Sequence, residues 1–165
     1  MTPALLNNVI TVNLIPDLLR NTDFDPERDA VLFPDSNAYK RYSDQVQGRV
    51  EIVGFKKRDF VTGKITGMDL NVPEETLLSE VKRVFIIDDL VSKGGTAIRA
   101  ALEVKKLLAA EVNLVVAHCE ENIFNGEILS TDTISHVWTT PTIIVNNRKK
   151  EKLHIIDILT SDWDL

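Results

Sequence analysis

Residues 84–97 of this 165-residue chain read VFIIDDLVSKGGTA, and this stretch predicts both the fold class and a ligand-binding site. Val84 to Ile87 are apolar and rich in β-branched side chains, which favours a buried strand. Asp88 and Asp89 are predicted to follow at the end of that strand. A loop and a helical segment, AIRAALEVKKLLAA, come next; the loop consists of Ser92, Lys93, Gly94, Gly95 and Thr96. The stretch therefore predicts one strand–turn–helix unit of an α/β fold.

The composition of the turn is that of a phosphate site. Glycines let backbone N–H groups approach phosphate oxygens, Ser92 and Thr96 add hydroxyl donors, and a helix N-terminus favours negative charge. Asp88 and Asp89 would repel a phosphate, so their partners are sugar hydroxyls, a divalent cation, or both. Gly-Gly-Thr alone is common in ordinary strand–helix connections, but two adjacent acids after an apolar strand are costly unless they are paired. We therefore expect a sugar phosphate as the ligand.

Composition narrows the class of protein. The chain is 44% hydrophobic, which fits one domain over residues 1–165 with a sizeable core. A formal net charge of −6 argues against a general nucleic-acid or membrane-binding role. Two basic clusters, at residues 56–58 and 148–150, suit small anionic substrates. Cys119 is the only cysteine, so the sequence has no disulfide framework and no cysteine zinc site.

The N-terminus lacks the basic start and the small-residue cleavage site of a signal peptide, and no apolar run reaches membrane-spanning length. We therefore expect a cytoplasmic protein.

Short apolar runs alternate with helical segments along the chain, which predicts a mainly parallel, twisted sheet flanked by helices on both faces. We expect about five core strands and a small hairpin at about residues 55–70, marked by two Thr-Gly pairs. A short helix is expected around Pro16. The predicted strands cover residues 9–15, 30–33, 51–55, 84–87, 112–117, 137–145 with a break near Pro141, and 153–158.

The central stretch resembles the phosphoribosyl-pyrophosphate (PRPP) binding signature of type I phosphoribosyltransferases. That signature has a hydrophobic strand, an acidic pair, two variable residues and a Thr/Gly-rich phosphate loop. Residues 30–158 more widely resemble the C-terminal half of ribose-phosphate pyrophosphokinase, also called PRPP synthetase. The resemblance implies the phosphoribosyltransferase fold. It also implies that the chain is a natural half, or the C-terminal half of a longer two-domain protein.

The resemblance implies a reaction as well: transfer of pyrophosphate from ATP to ribose 5-phosphate with Mg²⁺. By this resemblance residues 92–96 hold the 5-phosphate, and Asp88 and Asp89 hold the ribose hydroxyls. Lys57 and Arg58 would stabilise the transferring group, although an isolated basic turn is usually solvated. Asp35 becomes a candidate Mg²⁺ ligand, with a helix cap as the equal alternative. His118, at a strand end, is expected to be structural.

Two other functions stay open at this point. One is a type I phosphoribosyltransferase that joins PRPP to a nitrogenous base. The other is a non-catalytic regulatory or assembly subunit of the same fold. Pyrophosphokinases commonly have Asp-Thr where this chain has Ser92 and Lys93, and residues 36–38 lack the usual glycines. The family's ATP site draws on its N-terminal half and on a neighbouring subunit, which implies a homo-oligomer and makes activity of this chain alone doubtful.

Overall fold

A computed structural model describes residues 13–72, 75–145, 148 and 150–158. Over these residues the chain forms seven strands, three α-helices and two short 3₁₀ helices. The strands are β1 (Ala30–Phe33), β2 (Val50–Arg58), β3 (Ile65–Asn71), β4 (Arg83–Val91), β5 (Glu111–Cys119), β6 (His136–Thr139) and β7 (Leu153–Ile155). The α-helices are α1 (Leu14–Leu19), α2 (Ser36–Tyr42) and α3 (Gly95–Leu107); the 3₁₀ helices are Glu75–Glu80 and Glu121–Asn125.

All seven strands lie in one sheet, in the order β3-β2-β1-β4-β5-β6-β7. Every pair is parallel except β2 with β3, which form the antiparallel hairpin at one edge. The predicted mainly parallel α/β sheet with a hairpin is therefore confirmed. The chain moves from β1 to one side and later returns to the other side with β4, so strand order reverses between β1 and β4. Ligands of open α/β sheets bind at such a reversal, outside the carboxyl ends of the strands.

Helices cover both faces of the sheet, as the alternation of the strands predicts. Ala30 and Leu32 of β1 belong to the core beneath α3, whereas Val31 and Phe33 belong to the core beneath α1 and α2. Both cores consist of apolar side chains that are almost fully shielded from solvent, and the buried aromatic rings lie in the core beneath α1 and α2. The period of two along each strand therefore determines on which helical layer a side chain lies.

Several element boundaries differ from the sequence-based expectation. Leu14 and Ile15 lie in α1, not in a strand, and residues 9–12 of that predicted strand lie outside the described residues. Residues 141–143 form a turn, so β6 ends at Thr139. The last strand, β7, ends at Ile155 because its partner β6 offers only three pairing residues. The helical parts of the described chain include none long and apolar enough to cross a membrane.

The most consequential difference concerns β4, which continues to Val91 and does not end at Ile87. Pairing with β1 stops at Ile86, but pairing with β5 runs on to Val91. Asp88 and Asp89 therefore lie within the strand, in the part that has a neighbour on one side alone. Because β2 also continues beyond β1, a gap opens above the carboxyl end of β1, between β2 and β4.

Candidate functional site

A cavity of about 250 Å³ lies where β4 ends and α3 begins. Both strands beneath it contribute alternate residues, Asp88 and Leu90 from β4 and Leu114 and Val116 from β5. The remaining wall is Val91, Ser92, Lys93, Gly94, Gly95, Thr96 and Ala97. The structure thus brings the predicted phosphate loop, Ser92–Thr96, together with one carboxylate of the acidic pair.

Gly94 shapes the phosphate loop. It is the N-cap of α3 with φ of +85°, a left-handed conformation that glycine adopts without steric cost. A Cβ on Gly94 would lie 2.6 Å from the Cβ of Ile128, so a side chain there would also clash with the core. At Gly95, in contrast, a Cβ would meet nothing within 4 Å. Gly94 is therefore required by the fold, whereas Gly95 leaves free space beside the cavity.

The N-terminus of α3 presents backbone N–H groups as hydrogen-bond donors. The first N–H groups of a helix have no partner within that helix, and the N-cap Gly94 provides no side-chain cap. Ser92 is held at the loop by the Asn122 side chain, whose Nδ2 donates to Ser92 Oγ at 3.2 Å. Backbone amides, two hydroxyls and the exposed ammonium group of Lys93 therefore surround one end of the cavity. This set of groups is suited to a phosphate.

The two carboxylates of the acidic pair lie on opposite faces of β4. Asp88 shares the face of Ile86, beneath α3, and lines the cavity. Asp89 shares the face of Ile87, beneath α2. Burial raises the pKa of Asp88, and the negative charges of Asp35 and Asp89 raise it further. A ligand hydroxyl or a cation at the cavity would lower the free-energy cost of ionising Asp88.

Asp89 has two protein partners on α2. The phenol of Tyr42 donates to Asp89 Oδ1 at 3.0 Å, and the guanidinium of Arg41 pairs with Asp89 Oδ2. Burial alone would raise the pKa of Asp89, but the hydrogen bonds from Arg41 and Tyr42 outweigh it and hold the pKa below its usual value. Burial and the bond to Asp89 raise the pKa of Tyr42 to about 12, so the phenol stays a donor at neutral pH.

Asp35 lies at the gap above β1. Its Oδ1 accepts from the backbone N–H groups of Asn37 and Ala38, which confirms the helix-cap alternative. Its Oδ2 accepts from Lys56 Nζ at 3.0 Å, across the gap from β2. Burial opposes ionisation, but these hydrogen bonds prevail and lower the pKa of Asp35. The role of Asp35 as a metal ligand stays a prediction.

The basic cluster on β2 is divided by the strand's geometry. Lys56 reaches Asp35, and its charge also acts on Asp88. Lys57 pairs instead with Asp69 on β3, at 2.6 Å, and Arg58 donates to the carbonyl of Gly63 in the hairpin turn. A register shift between Lys57 and Arg58 interrupts the ladder there. The described structure therefore places Lys56, and neither Lys57 nor Arg58, beside Asp35 and Asp88.

Sequence reasoning thus missed Arg41, Tyr42 and Lys56. For Lys56 the sequence did contain an indication, since side chains alternate along β2 and only every second residue of the basic run can face the gap. Arg41 and Tyr42 carried no such signal, because their role depends on α2 packing against β4. His118, at the end of β5, bonds through Nδ1 to Thr142 Oγ1 at 2.6 Å, in keeping with the structural role expected for it.

Within the described residues, His, Cys, Asp and Glu side chains form no group of three or more that could hold a metal ion. Asp35 and Asp88 are nevertheless hard oxygen donors on two sides of one gap. Mg²⁺ is commonly bound by one or two carboxylates, with water and substrate phosphates completing its shell. The residues present therefore fit a cation that arrives with a phosphorylated ligand better than a cation held by protein groups alone.

Comparisons with known proteins address the family resemblance and the fold. No protein-family model matches the chain. The ribose-phosphate pyrophosphokinase of Sulfurisphaera tokodaii is 32% identical over 142 residues, which is 79% of this chain and 47% of that protein. The enzyme of the same name from Sulfolobus acidocaldarius is 30% identical over the same shares. The chain thus spans about half the length of the curated relatives that it matches.

Among solved structures, phosphoribosylpyrophosphate synthetase from Mycobacterium smegmatis matches with a TM-score of 0.54 and 17% identity. The match covers 79% of this chain and 41% of that one, and at this identity it supports the fold alone. The resemblance expected from the central stretch is therefore confirmed: over about four fifths of its length this chain is similar in sequence to ribose-phosphate pyrophosphokinases, and it has the fold of the solved synthetase.

Proposed function

We propose that this chain binds ribose 5-phosphate and PRPP at the cavity between β4 and α3, as the sugar-phosphate half of a ribose-phosphate pyrophosphokinase. The observation that carries the proposal is the cavity itself, which joins a phosphate loop to the carboxylate of Asp88. The phosphate loop would receive the 5-phosphate, and Asp88 would accept hydrogen bonds from the ribose hydroxyls. The positions of the phosphate loop and of Asp88 in the cavity would then match the positions of the phosphate and the sugar in ribose 5-phosphate.

In the proposed reaction the C1 hydroxyl oxygen of ribose 5-phosphate would form a bond to the β-phosphorus of ATP. The bond between that phosphorus and the oxygen that bridges it to the α-phosphate would break, AMP would leave with that oxygen, and the hydroxyl proton would pass to solvent. Mg²⁺, when bound with the polyphosphate, would neutralise charge on the transferring group. Asp35 and Asp88 would hold that cation through water or directly, and Lys56 would keep Asp35 ionised. Lys57 and Arg58, on the hairpin, would meet charge that develops in the transition state.

Calorimetry with ribose 5-phosphate, PRPP and ATP, each with and without Mg²⁺, tests the proposal. Ribose 5-phosphate should bind the isolated chain without Mg²⁺, PRPP should bind more tightly with Mg²⁺, and ATP alone should bind weakly. Unphosphorylated ribose is the matched control, since it lacks the group that the phosphate loop receives. If ribose and ribose 5-phosphate bind equally, or if neither binds, the assignment of the cavity is wrong.

A second function is favoured by one observation: Lys57 and Arg58 are engaged within the hairpin and not at the cavity. A subunit that binds the sugar phosphate and regulates or completes an assembly would need the cavity and not the basic hairpin. The homo-oligomer implied by the family would provide that assembly. A turnover assay, with the N-terminal half of a related enzyme supplied, separates the two functions. Binding without turnover would favour the regulatory subunit.

A further inference from the structure

The two acidic residues on β4 have different surroundings, although they are adjacent in sequence. Asp88 lines the cavity together with Leu90, two positions further along the same face. Asp89 faces the other side of the sheet, where both of its carboxylate oxygens have partners on α2. The cavity at the phosphate loop is therefore lined by Asp88 and not by Asp89.

Arg41 and Tyr42, whose side chains donate to the Asp89 carboxylate, belong to one short helix whose first residue follows Asp35. Tyr42 is buried, with 7% of its surface exposed, and belongs to the core with Phe33 and Val31 of β1. Its hydroxyl is directed at Asp89, so the bond links the last turn of α2 to β4. The other end of α2 is fixed by Asp35, which is paired with Lys56 on β2.

These contacts connect the two sides of the gap above β1. We propose that Asp89, Arg41 and Tyr42 form a clamp that positions α2, and with it Asp35, relative to the sugar-phosphate cavity. Asp88 then is the acidic residue that contacts the sugar, and Asp89 is a positioning residue. The inference rests on the proposed function for the identity of the ligands.

The clamp should affect the binding of Mg²⁺–PRPP more than the binding of ribose 5-phosphate. Ribose 5-phosphate needs the phosphate loop and Asp88, which lie on the α3 side of β4. A diphosphate with its Mg²⁺ also needs oxygen donors placed to complete the shell of the cation, and Asp35 offers one from the α2 side. A helix displaced by even a small distance would misplace that donor. Loss of the clamp should therefore weaken Mg²⁺–PRPP binding and spare ribose 5-phosphate.

Calorimetry on four proteins tests this division: the unaltered chain, Asp88→Asn, Asp89→Asn and Tyr42→Phe. Asp88→Asn should weaken both ligands at least about tenfold, the loss that removal of one hydrogen bond to a charged group produces. Asp89→Asn and Tyr42→Phe should leave ribose 5-phosphate within about twofold and weaken Mg²⁺–PRPP about tenfold. Asp132→Asn, at an exposed site away from the cavity, serves as the control.

If Asp89 and Tyr42 only stabilise the fold, the pattern should differ. Their replacement would then lower the melting temperature and weaken the binding of both ligands together. The double variant Tyr42→Phe with Asp89→Asn should weaken Mg²⁺–PRPP by less than the product of the two single effects, since both changes act on the contact between Tyr42 and Asp89. Tyr42→Phe keeps the buried ring, so it remains informative if Asp89→Asn folds poorly.

The clamp is overturned if Asp89→Asn weakens ribose 5-phosphate as much as Asp88→Asn does, or if both clamp variants bind Mg²⁺–PRPP like the unaltered chain. These results would leave the proposed function intact. If the unaltered chain binds neither ligand, the proposed function fails and the clamp fails with it, so the two failures are distinguishable.

Discussion

Two neighbouring glycines in the phosphate loop have different physical roles. Gly94 has φ of +85° and lies against Ile128, whereas Gly95 has open space where a side chain would be. A side chain at Gly94 therefore carries a backbone cost of about 1–2 kcal/mol and a packing cost of about 1–3 kcal/mol. A side chain at Gly95 carries neither cost, and it would occupy the space beside the cavity.

We predict that Gly95→Leu abolishes ribose 5-phosphate binding and leaves the melting temperature within about 2 °C, because leucine is a good helix former. The matched variant Gly94→Leu should lower the free energy of unfolding by about 2–5 kcal/mol, the sum of those two costs. Calorimetry and thermal unfolding on the same preparations measure both effects. Unchanged affinity in folded Gly95→Leu would contradict the phosphate-loop assignment.

The second prediction at the scale of residues concerns Lys57 and Arg58 on the hairpin. We expect Lys57→Ala and Arg58→Ala to reduce kcat and kcat/KM together, by about 100-fold or more, because they would meet charge only in the transition state. The affinity for ribose 5-phosphate should stay within about twofold. The measurement needs an active preparation with the N-terminal half supplied.

Lys64→Ala is the control for this series, because Lys64 is an exposed lysine on the same hairpin. It should leave turnover unchanged. A change confined to KM in Lys57→Ala and Arg58→Ala would show that these residues bind substrate and do not act in the chemical step.

At the scale of elements, a pair of histidines links the edge strand β7 to β6. His136 Nδ1 and His154 Nε2 are 3.0 Å apart, and the ring of His154 stacks on Trp138 at 4.1 Å. Burial lowers the pKa of His154, and the charge of His136 lowers it further. A hydrogen bond between two imidazoles requires that at least one ring be neutral.

Because the folded pKa of His154 lies below its unfolded value of about 6.5, its contribution to stability is fully present above that pH. It is lost as pH falls from there through the folded pKa. We predict that the melting temperature of His154→Phe, which keeps an aromatic ring on Trp138, falls less between pH 7 and pH 5.5 than that of the unaltered chain. Parallel melting profiles for the two proteins would rule out this linkage.

At the scale of the whole molecule, ligand, cation and stability should be coupled through Asp88 and Asp35. We predict that Mg²⁺ alone changes the melting temperature little, because the described residues include no group of three or more ligands for it. Mg²⁺ with PRPP at about 100 times its Kd should stabilise by about 2.7 kcal/mol, or roughly 5–11 °C for a chain of this size. Thermal unfolding with Mg²⁺ or EDTA measures the difference. An equal shift from PRPP in EDTA would exclude the cation from the site.

The whole molecule also determines which residues can act together. The gap above β1 exists because β2 and β4 are longer than the strand between them. Asp35 follows the end of β1, Lys56 lies in β2 and Asp88 lies in β4, and the three side chains face this gap, as the reversal of strand order predicts. No local feature of residues 34–56 indicates that the gap will be bounded by a carboxylate from residue 88.

The sequence by itself determined the fold class, the strand–loop–helix unit at residues 84–97 and the resemblance to the ribose-phosphate pyrophosphokinases. These features are local: apolar periodicity, glycines in a turn and an acidic pair are visible without knowing what packs against them. β1 was predicted with its exact bounds because AVLF is buried on both faces and ends at a proline.

Only the tertiary structure decided how Asp88 and Asp89 divide between two faces, which lysine of the basic run reaches Asp35, and that Tyr42 and Arg41 bind Asp89. The reason is strand pairing. β4 continues past Ile87 because β5 hydrogen-bonds to it, and within a strand adjacent side chains point to opposite sides. The sequence therefore names the acidic pair as a unit, and the register of the sheet separates it.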